Sequence, residues 1–493
     1  MKNINKIRLI VLLSGFISME LEILGTRLIS PIFGSTIYVW TSLIGVTLTF
    51  LALGYWYGGK LADKGKININ KLGLIILFLG VYICLLPFIS KAILYQFNSL
   101  GIIFGPLLIS FVILAFPIFF LGFVVPTSVK LVTGYLGEIG RKAGQIYALA
   151  TVGSIIGTFA TGFFLILYLG ITKTALITGI ILILLSLIMI KNKKIFLIFL
   201  LIPLLLFFII PKVSPIIIYS DSGYYSEIKV IHEVIGGYNV RQLVLDNAVQ
   251  TIKTDNPNYF NYVNFFKIPF YFRDISSILM IGLGGGEGIK MLHNDYNIEI
   301  DVIELDPKLK FVAEKYFGLN ISNFNIITND ARNYFLTTNK KYDLIISDIG
   351  FVDWSPYLFT MEFYEIVENH LSDDGIFMMN VIAIKEGEDS VLAKSIYSDL
   401  NRAFEDVLIF RNPRVPDDEF DNIFFLASKQ KIWDKPLVLS EQIFFDLILQ
   451  KSFTYNETLD FENKDDLVFV EKYSLKMREL YFDSAKEDIK RLN

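Results

Sequence analysis

Residues 8–211 hold seven apolar runs of membrane-spanning length or close to it, and this pattern constrains the chain more than any other feature. The runs lie at roughly 8–29, 38–59, 72–95, 101–125, 144–168, 174–190 and 195–211. A helix needs about 20 residues to cross the hydrocarbon core of a bilayer, so most qualify and the last two are short. The first run is too long for a signal-peptide core, and no small-residue cleavage site follows it. A transmembrane helical domain over residues 1–213, with about seven spans, is the expected organisation.

Charge divides the chain at the same place. Residues 1–213 carry 17 Lys/Arg against 4 Asp/Glu, a net of +13, and residues 214–493 carry 28 against 45, a net of -17. The whole-chain value of -4 is therefore an average over two unlike halves. Basic residues cluster in alternate loops: Lys2, Lys6 and Arg8; Lys60, Lys64, Lys66 and Lys71; Lys130, Arg141 and Lys142; Lys191, Lys193 and Lys194. Such loops stay in the cytoplasm, which puts the N-terminus there. Seven crossings would then carry residues 214–493 to the other side, whereas a last or first segment that does not cross would keep them in the cytoplasm, and the side stays open. The apolar content of 53% excludes a disordered chain, and the single Cys84 excludes a disulfide scaffold. Three scattered histidines and no basic patch outside the membrane half argue against a metal centre and against nucleic-acid binding.

Two features of the bundle stay open. Gly54 and Gly58, and Gly153 and Gly157 with Gly162 beyond, have the small-residue spacing of close helix contacts, or reflect the abundance of glycine in membrane helices. Glu20, Glu22 and Arg27 lie within the first run. They read either as a polar cavity for a cationic ligand or as an internal ion pair.

From Ile216 the pattern changes. Short segments rich in β-branched and aromatic residues, separated by Gly236-Gly237 and Asp246-Asn247, predict a small antiparallel β region over 214–256. Residues 257–493 then alternate strand-like runs ("SILMIG", "IEIDVIEL", "FNIIT", "YDLIISD", "GIFMMNVIA") with helical ones near 287–296, 307–317, 330–338 and 358–370. That alternation predicts a Rossmann-like, mostly parallel sheet covered by helices, with ligands outside the carboxyl ends of its strands.

The chemistry-bearing residues fall at those ends. "IGLGGGEG" supplies Gly282, Gly284, Gly286 and the acidic Glu287 between a strand and a helix. Glu304 ends the next strand, at the distance where an acidic side chain takes both ribose hydroxyls. No basic side chain waits for a pyrophosphate, so an adenosyl sulfonium fits better than a dinucleotide. Asp330 and Ala331 follow the third strand, where Asp330 would accept from an adenine amino group or simply cap a helix. Asp348 ends the fourth strand, beside the reactive end of a ligand held by the glycine loop. A loop with Asp353, Trp354, Pro356 and Tyr357 follows it.

Together "LVLDNAVQT", the glycine loop, "IELDP", "DAR" and "IISD" resemble the spermidine synthase (polyamine aminopropyltransferase) family over most of 216–430. The N-terminal runs, with "GSIIGT", resemble its membrane-fused branch. The resemblance implies that Glu304 holds the ribose, Asp330 and Ala331 the adenine, and that Asp348 is the catalytic base. It implies substrate-binding positions at Ser226, Tyr262, Asp353 and Pro356. The co-substrate would be decarboxylated S-adenosylmethionine, the acceptor putrescine or a related polyamine, with no prosthetic group and a homodimeric assembly. The chain departs from the family at three places. The acidic position of the Gly-Gly-Gly-Asp-Gly loop falls on Gly285 or on Glu287, depending on the register, and the distance to Glu304 favours Gly285. Asp353 stands five residues after Asp348 rather than three, and Ser226 replaces a glutamine. An S-adenosylmethionine-dependent methyltransferase and a non-catalytic polyamine-binding membrane protein are the alternative readings.

Overall fold

Six helices build the N-terminal part: α1 (Lys2–Phe33), α2 (Ile37–Asp63), α3 (Ile69–Phe97), α4 (Gly101–Val132), α5 (Ile139–Ala160) and α6 (Ile166–Met189). The computed structural model describes residues 2–33, 36–65, 67–97, 100–133, 136–190, 216–246, 248–349, 355–431, 454, 455 and 463. The chain divides into two units, Met1–Pro215 and Ile216–Asn493, each taken by itself below.

Close backbone contacts set the helix directions. Gly153 lies against the backbone of Leu12 and Gly157 against that of Phe16, so α5 runs parallel to α1. Gly54 meets Phe119 and Gly122, and Gly58 meets Phe123, so α2 and α4 are parallel. The Thr178 hydroxyl donates to Glu20 and Lys6 donates to the Ile188 carbonyl, so α6 opposes α1. Gly73 against Met189 and Gly80 against Gly179 make α3 and α6 antiparallel. Of the two readings of the glycine pairs, helix contact is the one observed; Gly162 faces open space.

Four helical stretches are long and apolar enough to cross a membrane: Ile37–Asp63, Ile69–Ile93, Ile103–Val132 and Ile139–Met189. The last has 51 residues, too many for one crossing at 1.5 Å per residue. It contains a π-helical turn at Thr161–Leu165 and a break at Gly170, where φ is 74° and ψ 173°. Only glycine adopts that conformation without strain. The two halves therefore run in opposite directions, matching the expected runs at 144–168 and 174–190. The seventh run, 195–211, lies outside the described residues.

The C-terminal unit opens with an antiparallel meander, β1 (Ile217–Ser222), β2 (Glu227–Ile235), β3 (Tyr238–Leu245) and β4 (Ala248–Thr254). A 3-10 segment, Tyr262–Tyr271, leads into a seven-stranded sheet. Its strands are β5 (Ser277–Ile281), β6 (Glu299–Glu304), β7 (Asn325–Thr328), β8 (Tyr342–Ser347), β9 (Leu371–Ile384), β10 (Asp406–Phe410) and β11 (Phe420–Ser428), in the order β10-β11-β9-β8-β5-β6-β7. The strands from β9 to β7 are parallel, and β11 and β10 add antiparallel pairs at one edge.

Burial on both faces explains why the central strands are continuously apolar. Leu279 and Ile281 enter one core with Phe363 and Tyr364 of α10 (Met361–Asn369) and Leu392 and Ile396 of α11 (Val391–Ala403). Ile278 and Met280 enter the other with Phe265, Phe266, and Ile289 and Leu292 of α7 (Glu287–Tyr296). Helices α8 (Pro307–Val312) and α9 (Ala331–Thr337) complete the crossovers.

Candidate active site

After β5 the chain moves outward through β6 and β7, then returns to β8 on the other side of β5. This reversal opens a crevice at the strand ends where ligands of such sheets bind. Ladder hydrogen bonds continue into it. The Gly282 amide donates to the Ile303 carbonyl at 2.9 Å, and the Asp348 amide to the Ile281 carbonyl at 2.9 Å. Gly282 has φ 94°, and a Cβ there would overlap the Asp348 carbonyl oxygen. The glycine loop and Asp348 are therefore in contact through their backbones.

The loop is braced from behind. Glu304 is buried, and its carboxylate accepts the Leu283 amide at 3.0 Å and the Asp306 amide at 2.8 Å. Burial pushes it up to about 7, against the pull of those amide hydrogen bonds. Thr251 of β4 accepts the Gly285 amide at 2.9 Å. A Cβ on Gly285 would meet the Thr251 methyl group and the Phe317 ring. There is thus no room for an aspartate at 285, and the acidic group of the loop is Glu287. It opens α7 after Gly286 (φ 79°), with Gly284 (φ 53°) at the turn. Glu287 stands 3.7 Å from Lys290, and Lys253 is close enough to feel both charges.

The second cluster centres on Asp348. Its Oδ2 accepts from the Tyr262 hydroxyl at 2.9 Å, and its Oδ1 from Asn380 Nδ2 at 2.8 Å. Asn380 Nδ2 also donates to Asn422 Oδ1 at 3.0 Å. Burial raises the Asp348 carboxyl above the usual carboxylate range, while Asn380 and Tyr262 pull it down. Burial and the adjacent carboxylate push the Tyr262 phenol well above its ordinary value, so it stays a donor. The result is a desolvated carboxylate held by two neutral donors, poised to take a proton.

Other expected positions lie apart from this cluster. Asp330 caps α9 by accepting the Asn333 amide at 3.0 Å, and Ala331 is buried next to it. Asp330 follows β7, on the Glu304 side of the crevice. Ser226 sits in the β1–β2 turn, where its carbonyl accepts the Gly223 amide and the neighbouring Tyr224 amide donates to Asp306. That turn leans on the loop after Glu304, not on Asp348. Pro356 begins a 3-10 turn whose Tyr357 carbonyl accepts from Arg332. Asp353 lies outside the described residues.

Three contributors were not foreseen: Thr251, Asn380 and Asn422. Thr251 closes the quoted "LVLDNAVQT" segment without a distinguishing signal. Asn380 is the single polar residue within "GIFMMNVIA", and that interruption of a buried strand was the available clue. Asn422 lies on β11, beyond the βα alternation. Gln250, beside Thr251 at a register shift of β4, has its Nε2 buried without a hydrogen-bond partner among the described residues.

Comparison with known proteins bears out the resemblance for this part of the chain. Residues 268–412 match the spermine/spermidine synthase domain family. A polyamine aminopropyltransferase of Buchnera aphidicola is 32% identical over 184 residues, 34% of this chain and 61% of that protein. The chain thus spans less than two thirds of that relative's length. Polyamine aminopropyltransferase 2 of Aquifex aeolicus is 24% identical over 405 residues, 76% of this chain and 78% of that protein. That share exceeds what residues 216–493 alone provide, so the match extends into the helical bundle. Among solved structures, a spermidine synthase from Thermotoga maritima aligns with a TM-score of 0.37 at 19% identity, over 47% of this chain and 83% of that one.

Proposed function

We propose that the C-terminal unit is an aminopropyltransferase that moves the aminopropyl group of decarboxylated S-adenosylmethionine to putrescine or a related amine, releasing methylthioadenosine. The observation that carries this reading is the buried, hydrogen-bonded Asp348 carboxylate backed onto the glycine loop at the strand reversal. The named relatives support the same class of reaction.

The chemistry follows from protonation states. A primary amine near neutral pH is mostly ammonium, with a pKa of about 10, and has no lone pair to attack with. Asp348 accepts its proton as the nitrogen approaches the carbon beside the sulfonium. The carbon–nitrogen bond forms as the carbon–sulfur bond breaks, and its electron pair leaves on sulfur as a neutral thioether. Tyr262 and Asn380 aim the carboxylate. Glu304, Asp330 and the glycine-loop backbone hold the nucleoside, and Glu287 supplies negative charge toward the donor's ammonium. Alignment of the two reactants in one crevice contributes the rest.

We further read the N-terminal helices as spanning a lipid bilayer with the N-terminus in the cytoplasm. Large apolar side chains such as Leu48, Trp56, Phe104 and Phe163 are exposed on the bundle, as lipid contact requires. Six alternating helices return Ile190 to the side of the N-terminus.

A methyltransferase is the second reading, favoured by one observation: Lys253 and Lys290 flank Glu287, and a lysine could pair with the carboxylate of an intact donor. The deciding experiment incubates the full-length protein with putrescine and either donor. Formation of spermidine and methylthioadenosine in equal amounts from the decarboxylated donor supports the first reading. Turnover confined to the carboxylated donor refutes it.

A further inference from the structure

The bundle holds a charged group that aminopropyl transfer does not use. Glu20 lies near the middle of α1 and is 0% exposed. Its Oε1 accepts the Thr178 hydroxyl of α6 at 2.6 Å, and its Oε2 is buried with no hydrogen-bond partner among the described residues. The contact rows of α1 and α5 place Leu12 on Gly153 and Phe16 on Gly157. One turn further along these parallel helices, Glu20 comes level with Thr161. The Thr161 hydroxyl is likewise buried and unpartnered among the described residues. Thr161 also starts the π-helical turn that joins α5 to α6, a distortion that in helices often marks a functional position.

The remaining charges around Glu20 are few. On α1 itself, Glu22 stands two residues on, and Arg27 lies about two turns away. On the other helices packed against α1, the charged residues stand toward the ends: Lys60 and Asp63 on α2, Lys71 and Lys91 on α3, Lys130 on α4, Arg141 and Lys142 on α5, and Lys173 on α6. A bare carboxylate in an apolar interior is costly enough that a positive charge must accompany it. The groups on offer are one carboxylate and two hydroxyls, a set of oxygens with no imidazole or thiolate, which suits a proton or a hard monovalent ion.

We propose that Glu20, Thr178 and Thr161 form an intramembrane site that reversibly takes up one small monovalent cation, a proton or an alkali ion. The site is independent of the chemistry at Asp348, and its occupancy couples to the packing of α1, α5 and α6.

Cys84 gives a selective readout. It is the only cysteine of the chain and is buried in the bundle, so a thiol-reactive fluorophore reports unfolding of the bundle alone. The full-length protein in detergent is heated with the fluorophore, with sodium or potassium chloride replacing choline chloride at constant ionic strength. A second series varies pH without alkali ions. For an alkali ion, Tm rises by about 3 °C or more at tenfold excess over half-saturation, and Glu20→Gln abolishes the rise. For a proton, Tm depends on pH in the wild type and not in Glu20→Gln. Identical responses of both proteins in both series overturn the proposal. If Glu20→Gln does not fold, Thr178→Val must shift the half-saturating concentration or pH; an unchanged response overturns the proposal equally. Aminopropyl transfer in these variants stays at the wild-type level.

Discussion

Removal of a single hydroxyl, Tyr262→Phe, tests the assignment of Asp348 as base. The phenol donates to Oδ2 at 2.9 Å, while Asn380 holds Oδ1 at 2.8 Å. A hydrogen bond to a charged group contributes about 1.5–3 kcal/mol, and a weaker one to the protonated acid would survive in part. The difference between the two protonation states is then about 1.4 kcal/mol, or roughly one pH unit. Tyr262 donates to the ionised form, so its loss raises the Asp348 pKa above a value that burial has already raised. A base works only when ionised. The acid limb of kcat/KM against pH therefore moves upward by about one unit, and activity recovers toward a plateau at higher pH. Initial rates of methylthioadenosine release across the pH range measure this. An acid limb that stays in place, or moves to lower pH, refutes the role of Tyr262 and with it the reading of Asp348 as the titrating base.

Further outcomes follow from the same geometry. Asp348→Asn keeps one acceptor oxygen, for Asn380, but cannot accept a proton, so turnover falls by about 100-fold or more while calorimetric binding of methylthioadenosine persists; retained turnover excludes Asp348 as base. Glu304, held up to about 7 by burial, must ionise to accept two ribose hydroxyls. Methylthioadenosine affinity should then rise as pH climbs toward 7 and level off above it, and Glu304→Gln should flatten the curve. Gly285→Asp drives a side chain into Thr251 and Phe317 and lowers the stability of the C-terminal unit by about 1–3 kcal/mol, read from urea unfolding. Reporter fusions after Ile190 report the same side of the membrane as fusions at the N-terminus; opposite sides would contradict the alternation of the six helices.

Much of this fold was legible because its elements repeat a strong period. The helix at 287–296 was expected at its observed limits, since a glycine turn precedes it and Ile289 and Leu292 alternate with polar residues at helical spacing. The strands β5, β6 and β8 were visible as short apolar runs ending in Gly282, Glu304 and Asp348. The antiparallel edge was not read, because β10 and β11 break the alternation and are separated by a polar loop. Asn380 could not be assigned a direction, since a strand buried on both faces gives no signal for which face a lone polar residue takes. Glu304 stands out in the sequence as an acidic strand end, but its two backbone amide partners depend on how the glycine loop folds back over it. In the bundle the glycine pairs were visible as a spacing, yet their partners across α1, α2, α4 and α5 are tertiary facts.

The break at Gly170 sets the parity of the bundle. It turns one continuous helical stretch into two antiparallel helices, so it fixes whether the described helices number an odd or even set. A chain that straightened there would lose one reversal, and Ile190 would end at the opposite end of the bundle. Mutations in the loops can move the boundaries of this bundle by several residues without effect on parity. A side chain at residue 170 acts on that parity directly, because only glycine holds the φ 74°, ψ 173° break without strain.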